Sequence, residues 1–144
     1  MQHIWRYFWP LPWTLVGLLA AVLAAAAGAR WQWRHGALEV HGGLAARGCA
    51  RLPPACRFEA ITLGHVILGL DACCLDQARA HEHVHVRQYE RWGPLFVPAY
   101  LASSAWQWCR GAPPYRANRF EREAYRLAPM GHLPASDNGA AEMK

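Results

Sequence analysis

The residue types able to do chemistry are concentrated in one stretch, Ala80 to Trp92, which reads Ala-His-Glu-His-Val-His-Val-Arg-Gln-Tyr-Glu-Arg-Trp. Within it, His81-Glu82-x-x-His85 has the spacing that sets two imidazoles one turn apart on one face of a helix. Two ligands from one rigid helix suit a divalent metal. Glu82 then lies beside the metal without ligating it, where a general base for a metal-activated water belongs. The same residues admit a second arrangement. On a β-strand His81, His83 and His85 would share a face and form a metal-binding edge with no catalytic carboxylate, and Val84 and Val86 favour a strand. Ala78, Arg79, Ala80, Glu82, Arg87, Gln88, Glu90 and Arg91 favour a helix, and Gly93-Pro94 is an ordinary helix stop. The helix is the expectation.

A catalytic zinc commonly takes three protein ligands, and His-His-Glu is one of the common sets. After His85 the carboxylates are Glu90, Glu121, Glu123, Asp137 and Glu142. Glu90 is on the histidine helix but five residues past His85, so it points away from that face. Asp137 and Glu142 fall in a polar end segment. Glu121 and Glu123 sit on a separate element that could pack across the first. Each also has an ordinary explanation: Asn118 and Glu121 have capping-box spacing, and Glu123 follows Arg119 by one helical turn. The residues alone leave both open.

The elements that must position these side chains come from a chain of 144 residues and 16.2 kDa, room for one small domain and an appendage. The net charge of +5 is carried by scattered arginines, with Lys144 the only lysine. There is no basic run and no nucleic-acid motif, which argues against a nucleic-acid partner. The five cysteines are an odd number without a Cys-x-x-Cys spacing. Cys49 and Cys56 flank Pro53-Pro54 and could close a small loop; buried small apolar side chains are the plainer reading.

From Trp13 to Ala29 no charge occurs, and counted from Pro10 the apolar run approaches the ~20 residues of a bilayer span. Trp5, Trp9 and Trp13 before it, and Trp31 and Trp33 after it, resemble interfacial aromatic belts. Residues 1–35 are therefore expected to form a membrane anchor with a single transmembrane helix, a cleaved signal peptide being the alternative at Ala25-Ala26-Ala27. The body is expected over residues 36–131 and a disordered tail over 132–144. Gly42-Gly43 reads as a hairpin, and Phe58 to Leu70 as a strand kinked at Gly64 with both faces covered. His65 reads as a core or rim histidine. Asp76 is a plausible N-cap for a helix from Gln77 to Trp92. An apolar helix to about Cys109 and a short helix from Asn118 to Pro129 complete an α+β fold.

Taken together, Ile61-Thr-Leu-Gly-His-Val-Ile, the His-Glu-x-x-His helix with Arg87-Gln-Tyr, Gly93-Pro-Leu-Phe-Val-Pro-Ala-Tyr and Asn118-x-Phe120-Glu121-x-x-Ala124 resemble the gluzincin branch of zinc metallopeptidases, in particular its small bacterial members. The resemblance runs from about Ile61 to Ala124. It implies a minimal zincin-like domain in which His81, His85 and Glu121 bind Zn²⁺ and Glu82 is the base. A peptide or protein would be the substrate, added as a strand beside Thr62–Ile67. Tyr115, Tyr125 and His132 are candidates to stabilise the oxyanion. The chain departs from the family at two positions. Tyr125 stands where such sequences often place an acid that orients a zinc-bound histidine, so that support must come from elsewhere or be weaker. Arg119 stands where proline is usual.

Overall fold

The computed structural model describes residues 2–51 and 59–129. In chain order these form α1 (Gln2–Phe8), α2 (Leu11–Ala26), β1 (Arg30–Arg34), β2 (Ala37–His41), α3 (Gly43–Ala50), β3 (Ala60–Leu63), β4 (Val66–Gly69), α4 (Ala72–Trp92), α5 (Phe96–Cys109) and α6 (Arg119–Leu127). The body is α+β. Its four strands make one mixed sheet in the order β1-β2-β4-β3, in which only β2 and β4 run parallel.

Alternation along the strands decides what each sheet face covers. Val40, Val66 and the partly buried Leu38 and Leu68 pack with Ala21 of α2. Ala37 and Ile67 point the other way and pack with Leu75 and Val86 of α4. The register sets Glu39 and Thr62 beside Ile67, so both polar side chains face α4. Of the Phe58–Leu70 stretch expected to be covered on both faces, β4 is so covered, whereas Ile61 on β3 is 40% exposed.

Several boundaries differ from the sequence reading. Phe58 to Leu70 is not one kinked strand: β3 and β4 fold back on each other around Gly64 and His65. Gly64 has φ +62, and α2 packs so closely there that the His65 N–H donates to Thr14 Oγ1 at 3.2 Å. The hairpin expected at Gly42-Gly43 lies instead at His35-Gly36, both with positive φ, between β1 and β2. Helix α4 begins five residues before Gln77. Asp71 is its N-cap, accepting from the Cys74 N–H at 2.7 Å, and Asp76 is a helix residue paired with Arg79.

The expected transmembrane anchor is also corrected. Among the described residues no helix is long and apolar enough to cross a membrane, so the single N-terminal span and the membrane localisation taken from it do not stand. The apolar stretch is interrupted at Trp9-Pro10, and α2 has 16 residues. That length rises about 24 Å, against a hydrocarbon core of about 30 Å. One side of α2 is used by the sheet. Gly17 and Ala21 are its buried positions, and a Cβ on Gly17 would stand 2.7 Å from the Leu63 carbonyl oxygen. Trp31 and Trp33, expected at a membrane interface, lie on β1, an outer strand of the sheet. The expected tail, Cys56 and His132 lie outside the described residues.

Candidate metal centre

His81 and His85 lie one turn apart on α4, with Glu121 of α6 facing them, and all three are buried. His81 Nε2 and His85 Nε2 are 3.2 Å apart, and each is 3.2–3.3 Å from a Glu121 carboxylate oxygen. At metal–ligand lengths of about 2.0–2.1 Å the two nitrogens subtend roughly 100° at a common centre, close to tetrahedral, and the Glu121 carboxylate offers a different oxygen to each of them. The residues therefore fit a metal ion. This group could hold a metal ion, and among the described residues it is the one such cluster.

Glu121 reaches the histidines because α6 is pinned at its first turn. Phe120 is buried with Tyr89 and Phe96 in an aromatic cluster, meeting the Phe96 ring at 5.1 Å between centroids. Asn118 caps the helix by accepting from the Phe120 N–H, and its Nδ2 donates to the Tyr100 carbonyl and to Ser104 Oγ. The capping-box explanation of Glu121 thus fails: Asn118 caps alone, and the Glu121 carboxylate turns inward. Tyr100 OH donates to Glu121 Oε1 at 2.7 Å. Burial pushes the Glu121 carboxyl up, but hydrogen bonds from His81, His85 and Tyr100 outweigh it and hold the group well below the usual carboxylate range. For His85, burial opposes the charged form, yet its contacts with Glu121 and Glu82 raise it overall.

Glu82 is 5% exposed and ligates nothing in this arrangement. Thr62 Oγ1 donates to Glu82 Oε2 at 2.7 Å, and Tyr89 OH donates to the Thr62 carbonyl at 3.2 Å. Burial raises the Glu82 carboxyl above its ordinary value, against the opposing pull of His85 and the Thr62 hydroxyl. A carboxyl raised in this way is suited to taking up and returning a proton.

Tyr125 packs its ring 4.6 Å from that of His81, and the buried His81 Nδ1 has no hydrogen-bond partner among the described residues. His85 is treated differently. Its Nδ1 lies 2.9 Å from Gln88 Oε1, while Gln88 Nε2 donates to the Phe120 carbonyl and to Glu123 Oε2. Glu123, the other carboxylate the sequence left open, is therefore brought to Gln88 and not to the metal cluster.

His83 is separated from the other two histidines. It points to the opposite side of α4, with its ring edge-on to His35 and its Nε2 3.7 Å from Glu39 Oε1. The Glu39 carboxylate is already taken by Arg79 and Gln32. An open cleft of about 620 Å³ on that side is lined by Arg6, His35, Arg79, His83, Arg87 and Glu90 among others, and by none of the three cluster residues. His65 is a buried histidine against Glu90, as expected. Tyr115 lies near Glu121 and Tyr125; burial and those neighbours raise its phenol above the ordinary range, so it stays a donor.

Thr62, Gln88 and Tyr100 were not singled out from the sequence. Gln88 alone left a local signal, since it stands one turn after His85; Thr62 and Tyr100 reach the site only through tertiary packing. No protein-family model, no curated protein and no solved structure matches the chain.

Proposed function

We propose that this chain is a zinc-dependent peptidase of the gluzincin type, with His81, His85 and Glu121 as the ligands and a peptide or protein as substrate. One observation supports the reading: two buried imidazole nitrogens 3.2 Å apart, each 3.2–3.3 Å from a different oxygen of the buried Glu121 carboxylate, with a second buried carboxylate, Glu82, directly after His81 on the same helix. Bound zinc supplies Lewis-acid polarisation of the scissile carbonyl and lowers the pKa of water. The remaining work falls to the chain. Glu82 accepts a proton from the attacking water and delivers it to the leaving amine. Thr62 holds the carboxylate in place for both transfers. Tyr115 and Tyr125 are the described phenols from which an oxyanion donor would come.

The test is the zinc content of purified wild type and Glu82→Gln, followed by peptide-library cleavage with both. Both proteins are expected to hold one equivalent of zinc, and only the wild type to cleave. A Glu82→Gln protein with full peptidase activity would overturn the mechanism.

A further inference from the structure

We propose that Gln88, backed by Glu123, is the positioning residue of the metal centre and takes over the orienting role that no acid after Ala124 can play. The proposal rests on metal binding by His81, His85 and Glu121, and not on peptidase activity.

The amide orientation of Gln88 follows from its neighbours. Its nitrogen faces two groups that can only accept, the Phe120 carbonyl at 3.0 Å and Glu123 Oε2 at 2.9 Å. Its oxygen is therefore the end that meets His85 Nδ1, at 2.9 Å. An amide oxygen only accepts, so His85 must carry its proton on Nδ1. That leaves Nε2, which faces His81 and Glu121, as the ring nitrogen available to a metal. Gln88 itself is buried.

The same side chain also ties together the two elements that supply ligands. One end fixes an imidazole of α4, and the other grips the backbone of Phe120, the residue directly before Glu121 on α6. Among the described residues His81 has no comparable support: its buried Nδ1 meets no hydrogen-bond partner there, and Tyr125 packs on its ring. Orientation of the centre thus depends on the His85 side. Partners of this kind commonly govern metal affinity as well as activity.

The experiment reads two quantities, neither requiring turnover. Long-range ¹H–¹⁵N correlation spectra of the metal-free protein, with His85 assigned by its loss in His85→Gln, report the tautomer. Competition with a chromophoric chelator reports the zinc dissociation constant. The wild type is expected to show His85 protonated at Nδ1. Gln88→Leu is expected to lose that signature and to bind zinc about 10- to 100-fold more weakly. Glu123→Gln, which can still accept from the Gln88 amide, should stay near the wild type, and Glu123→Ala should weaken zinc binding by a smaller factor than Gln88→Leu. Glu123 is half-buried, so its variants serve should Gln88→Leu not fold.

A wild-type His85 without a proton on Nδ1 overturns the proposal. So does a folded Gln88→Leu that binds zinc as tightly as the wild type. A wild type that takes up no zinc overturns the metal-centre reading instead, while its tautomer spectrum still decides the Gln88 contact.

Discussion

Thr62 holds Glu82 across the interface between sheet and helix: the threonine hydroxyl on β3 donates to the buried carboxylate on α4 at 2.7 Å. Among the described residues β3 is an outer strand of the sheet, so the strand beside which the proposal places a peptide also restrains the proposed base. Thr62→Val keeps the shape and removes the donor. It should cost about 1–3 kcal/mol of stability, because a buried acceptor loses its partner. Peptide hydrolysis should fall by about 10-fold or more with zinc content unchanged. Equal turnover in Thr62→Val and wild type would remove Thr62 from the mechanism.

The two faces of α4 make His83 and His85 unequal. His83→Ala should leave zinc stoichiometry at the wild-type value, and His85→Ala should abolish tight binding, both measured by metal analysis after dialysis. A matching loss in the two variants would favour the three-histidine edge over the helical site.

Acid should destabilise the fold through His65 and His83. Burial lowers both below the ordinary 6.5, with Glu90 and Glu39 respectively pulling the other way. A depressed folded-state value means the unfolded chain binds more protons as pH falls. Their contribution is therefore present above pH 6.5 and is lost as pH falls through the lower folded values. His85 is raised and acts with the opposite sign, its contribution being lost as pH rises. The measurement is accordingly a difference. Between pH 8 and 5 the Tm of the metal-free wild type should fall more than that of a His65→Gln/His83→Gln variant. Parallel curves would exclude the two histidines.

Gly17 is where α2 meets the sheet. Gly→Ala inside a helix is ordinarily favourable by about 0.5–1 kcal/mol. Here a Cβ would stand 2.7 Å from the Leu63 carbonyl oxygen and 2.8 Å from Val66 Cβ. Gly17→Ala should therefore destabilise by about 1–3 kcal/mol in urea unfolding. Gly48→Ala in α3, where nothing among the described residues lies within 4 Å of the added carbon, is the control and should be neutral or stabilising. A stabilised Gly17→Ala would mean that α2 does not rest on β4 as closely as described.

The readings that succeeded were those in which local chemistry and helical period agree. His81, Glu82 and His85 lie within five consecutive residues, and a helix places them whatever surrounds it. The readings that failed needed to know what lay opposite. An apolar run of small and aliphatic residues serves equally a bilayer or a sheet, and only the close approach at Gly17 and Ala21, with the break at Trp9-Pro10, shows that α2 serves the sheet. Phe58–Leu70 reads as one strand by composition. The positive φ of Gly64, with Thr14 of α2 receiving the His65 N–H, makes it two.

The sequence by itself determined the histidine pair, the carboxylate beside it and the α+β character of the chain, because period and residue type suffice for those. Residue types and spacing left Glu121 and Glu123 open and the family resemblance favoured Glu121; the tertiary structure shows which of the two reaches the histidines. Both lie on α6, two residues apart and so some 200° around the helix from each other. Burial of Phe120 and the cap at Asn118 set the rotation of α6, which turns Glu121 to His81 and His85 and Glu123 to Gln88. No local pattern encodes that rotation, because it depends on side chains of α4 and α5 that are distant in the chain.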